Sequence, residues 1–97
     1  MSIEWIFKMW PEINQVKQEN KRELNLNGNQ LTKLLEKNDG ELDKSVFELN
    51  QLNFLQLSNS EKFHNISNEI GSLINLQTLL LFGNQLTKVP GKFTIFL

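Results

Sequence analysis

The chain predicts an α/β solenoid of about three coils, each laying one short strand into a parallel sheet, with a helical cap at the N-terminal end and no cap at the other. Three observations carry this expectation. The hexapeptide GNQLTK occurs at 28–33 and again at 83–88 in a chain of only 97 residues. Leucines recur in pairs two apart, Leu24 and Leu26, Leu55 and Leu57, Leu79 and Leu81, which is the spacing that puts strand side chains on one face. Between the pairs, apolar residues fall three and four apart, the rhythm of a helical face.

The N-terminal region, 1–22, reads as an aromatic segment followed by a capping helix. Its opening, MSIEWIFKMW, is apolar, but Glu4 and Lys8 interrupt it and it is far too short to span a bilayer. It is expected to pack, with Trp5, Phe7 and Trp10 extending the cap. The stretch WPEINQVKQENKREL predicts a helix: Pro11 suits the first turn, Glu12 complements the positive helix end, and Ile13, Val16 and the stem of Lys17 are expected to face inward.

The repeats are expected over 23–90, divided as 23–51, 52–75 and 76–90. Anchored on Asn84, the residues Leu76, Leu79, Leu81, Asn84 and Leu86, followed by Val89-Pro90, match the pattern L-x-x-L-x-L-x-x-N-x-L of a leucine-rich repeat. Anchored on Asn29, the first copy gives Leu24, Leu26, Leu31 and Leu34, with Lys21 in place of the leading leucine. In the middle copy Ser60 stands at the asparagine position and Phe63 comes one residue late, so a different turn is expected at 59–64. Equivalent leucines 26, 57 and 81 lie 31 and 24 residues apart. The longer first unit is expected to hold an insertion within LLEKNDGELDKSVFELN.

Each strand must be followed by a sharp turn that leaves backbone groups inside, and an asparagine has donors and an acceptor in one compact side chain to satisfy them. Asn29 and Asn84 are therefore expected to tie one coil to its neighbour, and the two hexapeptides to be the same turn written twice. The return side is expected at ISNEIGSLINL, where Ile66, Ile70, Leu73 and Leu76 form one apolar stripe and Gly71 eases packing or a turn. Val46, Phe47, Leu49 and Leu52 repeat it as a short helix or single turn. At 91–97 Phe93 and Phe96 suggest a further return segment, begun and left unfinished before its strand. The chain is accordingly expected to be a fragment of a longer protein.

Little in the sequence points to chemistry. There is no cysteine, so disulfides, thiolate metal sites and cysteine nucleophiles are excluded. The formal charge is −1, which supplies no global attraction to nucleic acid or an anionic membrane. Lys17, Lys21 and Arg22 are interleaved with Glu19 and Glu23, as on an ordinary exposed helix. His64 is the sole histidine and is expected to face solvent without a catalytic partner. Glu36, Asp39, Glu41 and Asp43 surround Gly40, but not at the spacing of a calcium loop. Asn65-Ile66-Ser67 is formally a glycosylation acceptor, but the opening segment is read as packing and not as a secretory signal, so the site is expected to stay unmodified. No catalytic residue, cofactor or metal is expected.

The runs WPEINQVKQENKRELNLNG and GELDKSVFELNQLNFLQLS resemble the N-terminal region of leucine-rich-repeat proteins that carry a phenylalanyl-tRNA-synthetase-beta-like module further along. The telling parts are Trp10-Pro11-Glu12, Arg22-Glu23-Leu24 and the stretch from Leu49 to Leu57. The resemblance implies a cytoplasmic protein linked to RNA or to phenylalanine-tRNA ligase chemistry through a module outside this chain. It carries over no catalytic residue.

In such an architecture the outward strand positions line a concave interaction face. Alternation gives three rows: Glu23, Asn25 and Asn27; Phe54, Gln56 and Ser58; Thr78, Leu80 and Phe82. Phe54, Leu80 and Phe82 are apolar where water favours polar residues. Exposed patches of this kind mark protein contacts, so Phe54, Gln56, Ser58, Thr78, Leu80 and Phe82 are the expected partner-binding residues. The function expected is a non-catalytic protein-binding module with an unidentified protein partner, no membrane and no direct nucleic-acid contact. The alternative is part of an RNA-binding or phenylalanyl-tRNA-synthetase-beta-like protein.

Overall fold

A computed structural model of the chain describes residues 10–88 and 94–96. Trp5, Phe7, Val89-Pro90 and Phe93 lie outside the described residues. The chain builds a small α/β structure around a four-stranded parallel sheet whose strands follow one another in sequence order.

Helix α1 (Pro11–Gln18) opens with Pro11 in its first turn, where a missing N–H costs nothing, and buries Ile13 and Val16. Trp10, just before it, is also buried and accepts the amides of Ile13 and Asn14 on its carbonyl, at 3.0 Å each. Lys17 is exposed, contrary to expectation. With Val16 taking the inward position, the next residue is rotated about 100° away on a 3.6-residue helix.

Strand β1 (Glu23–Asn27) follows and buries only Leu24 and Leu26. Helix α2 (Asn29–Glu36) comes immediately after a single turn residue, Gly28, and buries Leu31, Leu34 and Leu35. A 3₁₀ turn (Lys44–Glu48) then leads to β2 (Phe54–Ser58), a second 3₁₀ turn (Asn68–Ser72) to β3 (Thr78–Leu80), and the last strand is β4 (Thr94–Phe96). Register is set by the leucine pairs: Leu24 and Leu26 stand beside Leu55 and Leu57, and Leu55 beside Leu79. Their side chains form one core with Val46, Phe47, Leu49, Leu52, Phe63, Ile70, Leu73 and Leu76.

Residues 42–60 and 66–84 are two copies of one backbone path, 24 residues apart. Asp43 and Ser67 hold the same extended torsions, φ −63°, ψ 141° and φ −67°, ψ 147°, and each side chain caps the amide two residues on. Leu49 and Leu73, which close the two 3₁₀ turns, match as closely at φ −82°, ψ 71° and φ −82°, ψ 75°. Each copy then feeds its strand through one doubly used carbonyl: Arg22 O accepts from Asn53 N and Phe54 N, and Asn53 O accepts from Gln77 N and Thr78 N. The return stripe expected at Ile66, Ile70, Leu73 and Leu76 is present, although as a 3₁₀ turn only five residues long. Gly71 eases no contact, because a Cβ there would meet nothing within 4 Å.

Two expectations are corrected. The two hexapeptides are not the same turn written twice, since α2 begins inside the first copy and runs into the start of the expected insertion, while the second copy forms no helix. The C-terminal segment does not stop before its strand: Thr94–Phe96 pairs in parallel with Thr78–Leu80, setting Phe96 opposite Leu80. Thr, Ile and Phe are all strong strand formers, and the free edge of β3 offers them a ready ladder. The spacing that placed Phe96 on a return stripe was outweighed by that local preference.

Candidate functional site

The three strand ends are built alike. Gly28, Asn59 and Gly83 each follow a strand, and each has positive φ, at 58°, 60° and 73°. Their backbone amides step across the sheet, Gly28 N to Ser58 O and Asn59 N to Phe82 O, both at 3.0 Å. Asn59 thus fills a glycine position, which the short polar side chain of asparagine tolerates better than most. The turn at 59–64 differs from its neighbours in this respect.

The next residue in each turn is where the copies part. Asn84 behaves as expected: its amide nitrogen donates to Leu57 O at 2.6 Å and Leu81 O at 3.0 Å, and its carbonyl accepts from Ser60 N at 3.0 Å. Ser60 is buried and its hydroxyl meets Thr32 Oγ1 at 2.7 Å. Thr32 of α2 thus meets the Ser60 hydroxyl while Asn84 holds the Ser60 backbone amide, so three successive units are laced together at Ser60. Asn29 takes no part; it is exposed and begins α2. The expectation that it ties two coils is overturned for a geometric reason. Asn84 bonds backward, to the unit before its own, and the unit before Asn29 is α1, which presents no matching strand end.

The outward face of the sheet is assembled by the register. Glu23, Phe54 and Thr78 form one row, and Asn25, Gln56 and Leu80 the next; Asn27 and Ser58 continue toward Phe82. Phe54, Gln56, Thr78, Leu80 and Phe82 are half-buried, whereas Glu23, Asn25 and Asn27 are exposed. Ser58 is a correction: it is fully buried. Its hydroxyl donates to Asn27 Oδ1 at 3.2 Å and accepts from Gln56 Nε2 at 2.9 Å, and Asn59 Nδ2 also reaches Asn27 Oδ1 at 2.7 Å. This amide and hydroxyl chain satisfies itself, leaving the apolar Phe54, Leu80 and Phe82 as the surface with most to gain from a partner. Sequence alternation found those three but not the chain beside them, because nothing in the spacing says that Asn59 reaches back to Asn27.

An open cleft of about 520 Å³ lies between α1 and β1, lined among others by Glu12, Lys21, Arg22, Glu23 and Gln30. Gln30 donates to Glu12 Oε2 at 3.0 Å, while Glu12 Oε1 is shielded from solvent and has no partner among the described residues. His64 is exposed. Among the described residues no group of three or more His, Asp or Glu could hold a metal ion, and no helix is long and apolar enough to cross a membrane. Ile74, 80% exposed, is a lone apolar residue of the kind that needs no partner.

In comparisons with known proteins, no protein-family model matches the chain and no curated protein matches it significantly.

Proposed function

We propose that the chain is a leucine-rich-repeat solenoid segment of a cytoplasmic protein, that it serves as a protein-binding module without catalysis of its own, and that it binds through the outward face of the sheet at Phe54, Gln56, Thr78, Leu80 and Phe82. The solenoid reading is supported by two stretches 24 residues apart that share capping, torsions and hydrogen bonding. The binding reading rests on one observation above the rest. Three large apolar side chains, Phe54, Leu80 and Phe82, stay half-buried along the outward side of the sheet, beside a polar chain that is already satisfied internally. These side chains are already half-buried, so covering what remains exposed contributes about half of the roughly 1.5–3 kcal/mol of full burial for each, against the cost of association.

The test is affinity capture with the intact chain and with a Leu80→Ser, Phe82→Ser double variant, followed by a binding curve for the captured protein. The double variant should lose at least about tenfold in affinity, corresponding to about 1.4 kcal/mol, while its circular-dichroism spectrum stays that of the parent. Equal binding by a folded double variant would remove this face from the interaction.

A further inference from the structure

A second surface lies at the opposite ends of the strands, where they begin. Arg22, Gln51, Asn53, Asn75 and Gln77 line one cavity of about 270 Å³. The repeat places them: Asn53 and Gln77 immediately precede Phe54 and Thr78, which are paired in register, and Gln51 and Asn75 each stand two residues earlier. The lining holds one guanidinium, four carboxamides and no carboxylate; the cleft beside α1, which Arg22 also borders, holds Glu12 and Glu23.

Four backbone acceptors at this end of the sheet are already occupied. Arg22 O and Asn53 O each take two amide donors. Val16 O accepts from Lys21 N at 3.0 Å and Gln51 Nε2 at 3.4 Å, and Asn50 O accepts from Asn75 Nδ2 at 2.8 Å. Among the described residues, the Arg22 guanidinium and the Asn53 and Gln77 carboxamides have no intramolecular hydrogen bond or ion pair. The nearest basic neighbour in sequence, Lys21, is paired with Glu19 at 3.7 Å. What remains at the rim is a planar fork of N–H donors with carboxamides that can turn their NH₂ groups inward.

We propose that this rim is an oxyanion-binding site, with Arg22 holding a carboxylate or phosphate group through paired N–H donors and with Asn53 and Gln77 completing its hydrogen bonds. The site is separate from the apolar face and does not depend on that face binding a protein.

The experiment is a ¹⁵N NMR titration of the full chain with inorganic phosphate and, separately, with acetate, each against sodium chloride at matched ionic strength. A saturable shift of the Arg22 Nε–H and of the Asn53 and Gln77 side-chain amides is expected for at least one oxyanion, and which one saturates identifies the group recognised. Arg22→Gln, at an exposed position, should retain the remaining spectrum and weaken binding at least about tenfold. Gln77→Ala, also exposed, should weaken it several-fold and gives an independent reading of the same rim. Shifts that rise linearly and equally in chloride overturn the proposal, as does saturable binding that both variants leave unchanged.

Discussion

At the residue scale, the two asparagines of the repeated hexapeptide make opposite forecasts. Asn84 makes three hydrogen bonds, two to carbonyls of successive strands and one from Ser60 N. At about 1 kcal/mol each, Asn84→Ala should cost about 2–3 kcal/mol in chemical denaturation. Asn29→Ala should change stability by less than about 0.5 kcal/mol, because it exchanges an exposed residue in a helical turn for a better helix former. Equal losses in the two variants would contradict this division of labour. The glycines differ as well. Gly28 is held at φ 58°, ψ −130°, which only glycine adopts comfortably, but a Cβ there would meet nothing. At Gly83 a Cβ would strike the Asn59 side chain and lie 3.2 Å from its Cα. Both alanine variants should lose about 1–3 kcal/mol from backbone strain. Adding Asn59→Gly should restore part of the loss in Gly83→Ala and none in Gly28→Ala, as read from urea midpoints.

At the scale of elements, one six-residue sequence has two conformations. The first GNQLTK enters α2 and the second stays in an irregular turn. What decides is the sequence that follows. The first copy continues with Leu34, Leu35 and Glu36, all good helix formers, which also bury two leucines. The second continues with Val89-Pro90, and a residue before proline is steered away from the α region. Hydrogen exchange should show the difference residue by residue. Gln30 N lies in the first turn of a helix, where amides lack an intrahelical acceptor, while Gln85 N donates to Phe63 O at 3.1 Å. Gln85 should therefore be protected over Gln30 by at least about tenfold, and Lys33, one turn into α2, over Lys88. The same pattern in both copies would mean that they share a conformation. The sequence made the leucine pairs and the 3₁₀ stripes legible because alternation and helical spacing follow directly from backbone geometry. It did not make α2 legible, since the motif match at 28–33 competes with the helix formers after it, and spacing alone does not say which prevails. The apolar face was legible by the same alternation, but the burial of Ser58 was not, because it depends on Asn27 and Gln56 meeting it across strands.

At the scale of the whole molecule, the sheet is an ordered stack in which β1 pairs with β2, β2 with β3 and β3 with β4, so disturbance at one end reaches the other only through the units between. Helix α1 sits at the β1 end, and its Ile13 is completely buried. Removing that side chain to a methyl should cost about 2–5 kcal/mol, a large part of the roughly 5–15 kcal/mol that holds a domain of this size. The loss should not be spread evenly. In a stack with only nearest-neighbour coupling, weakening one end frays that end first. Ile13→Ala should therefore lose hydrogen-exchange protection at Leu24 and Leu26 before Leu79 under native conditions, and only above the denaturant midpoint should the three become equal. The contrasting variant is Leu73→Ala, fully buried in the segment that joins β2 to β3, which should lower protection at Leu55 and Leu79 more than at Leu24. If either variant lowers protection at all the strand leucines equally from the outset, the sheet unfolds as one cooperative unit and the nearest-neighbour account of its stability fails.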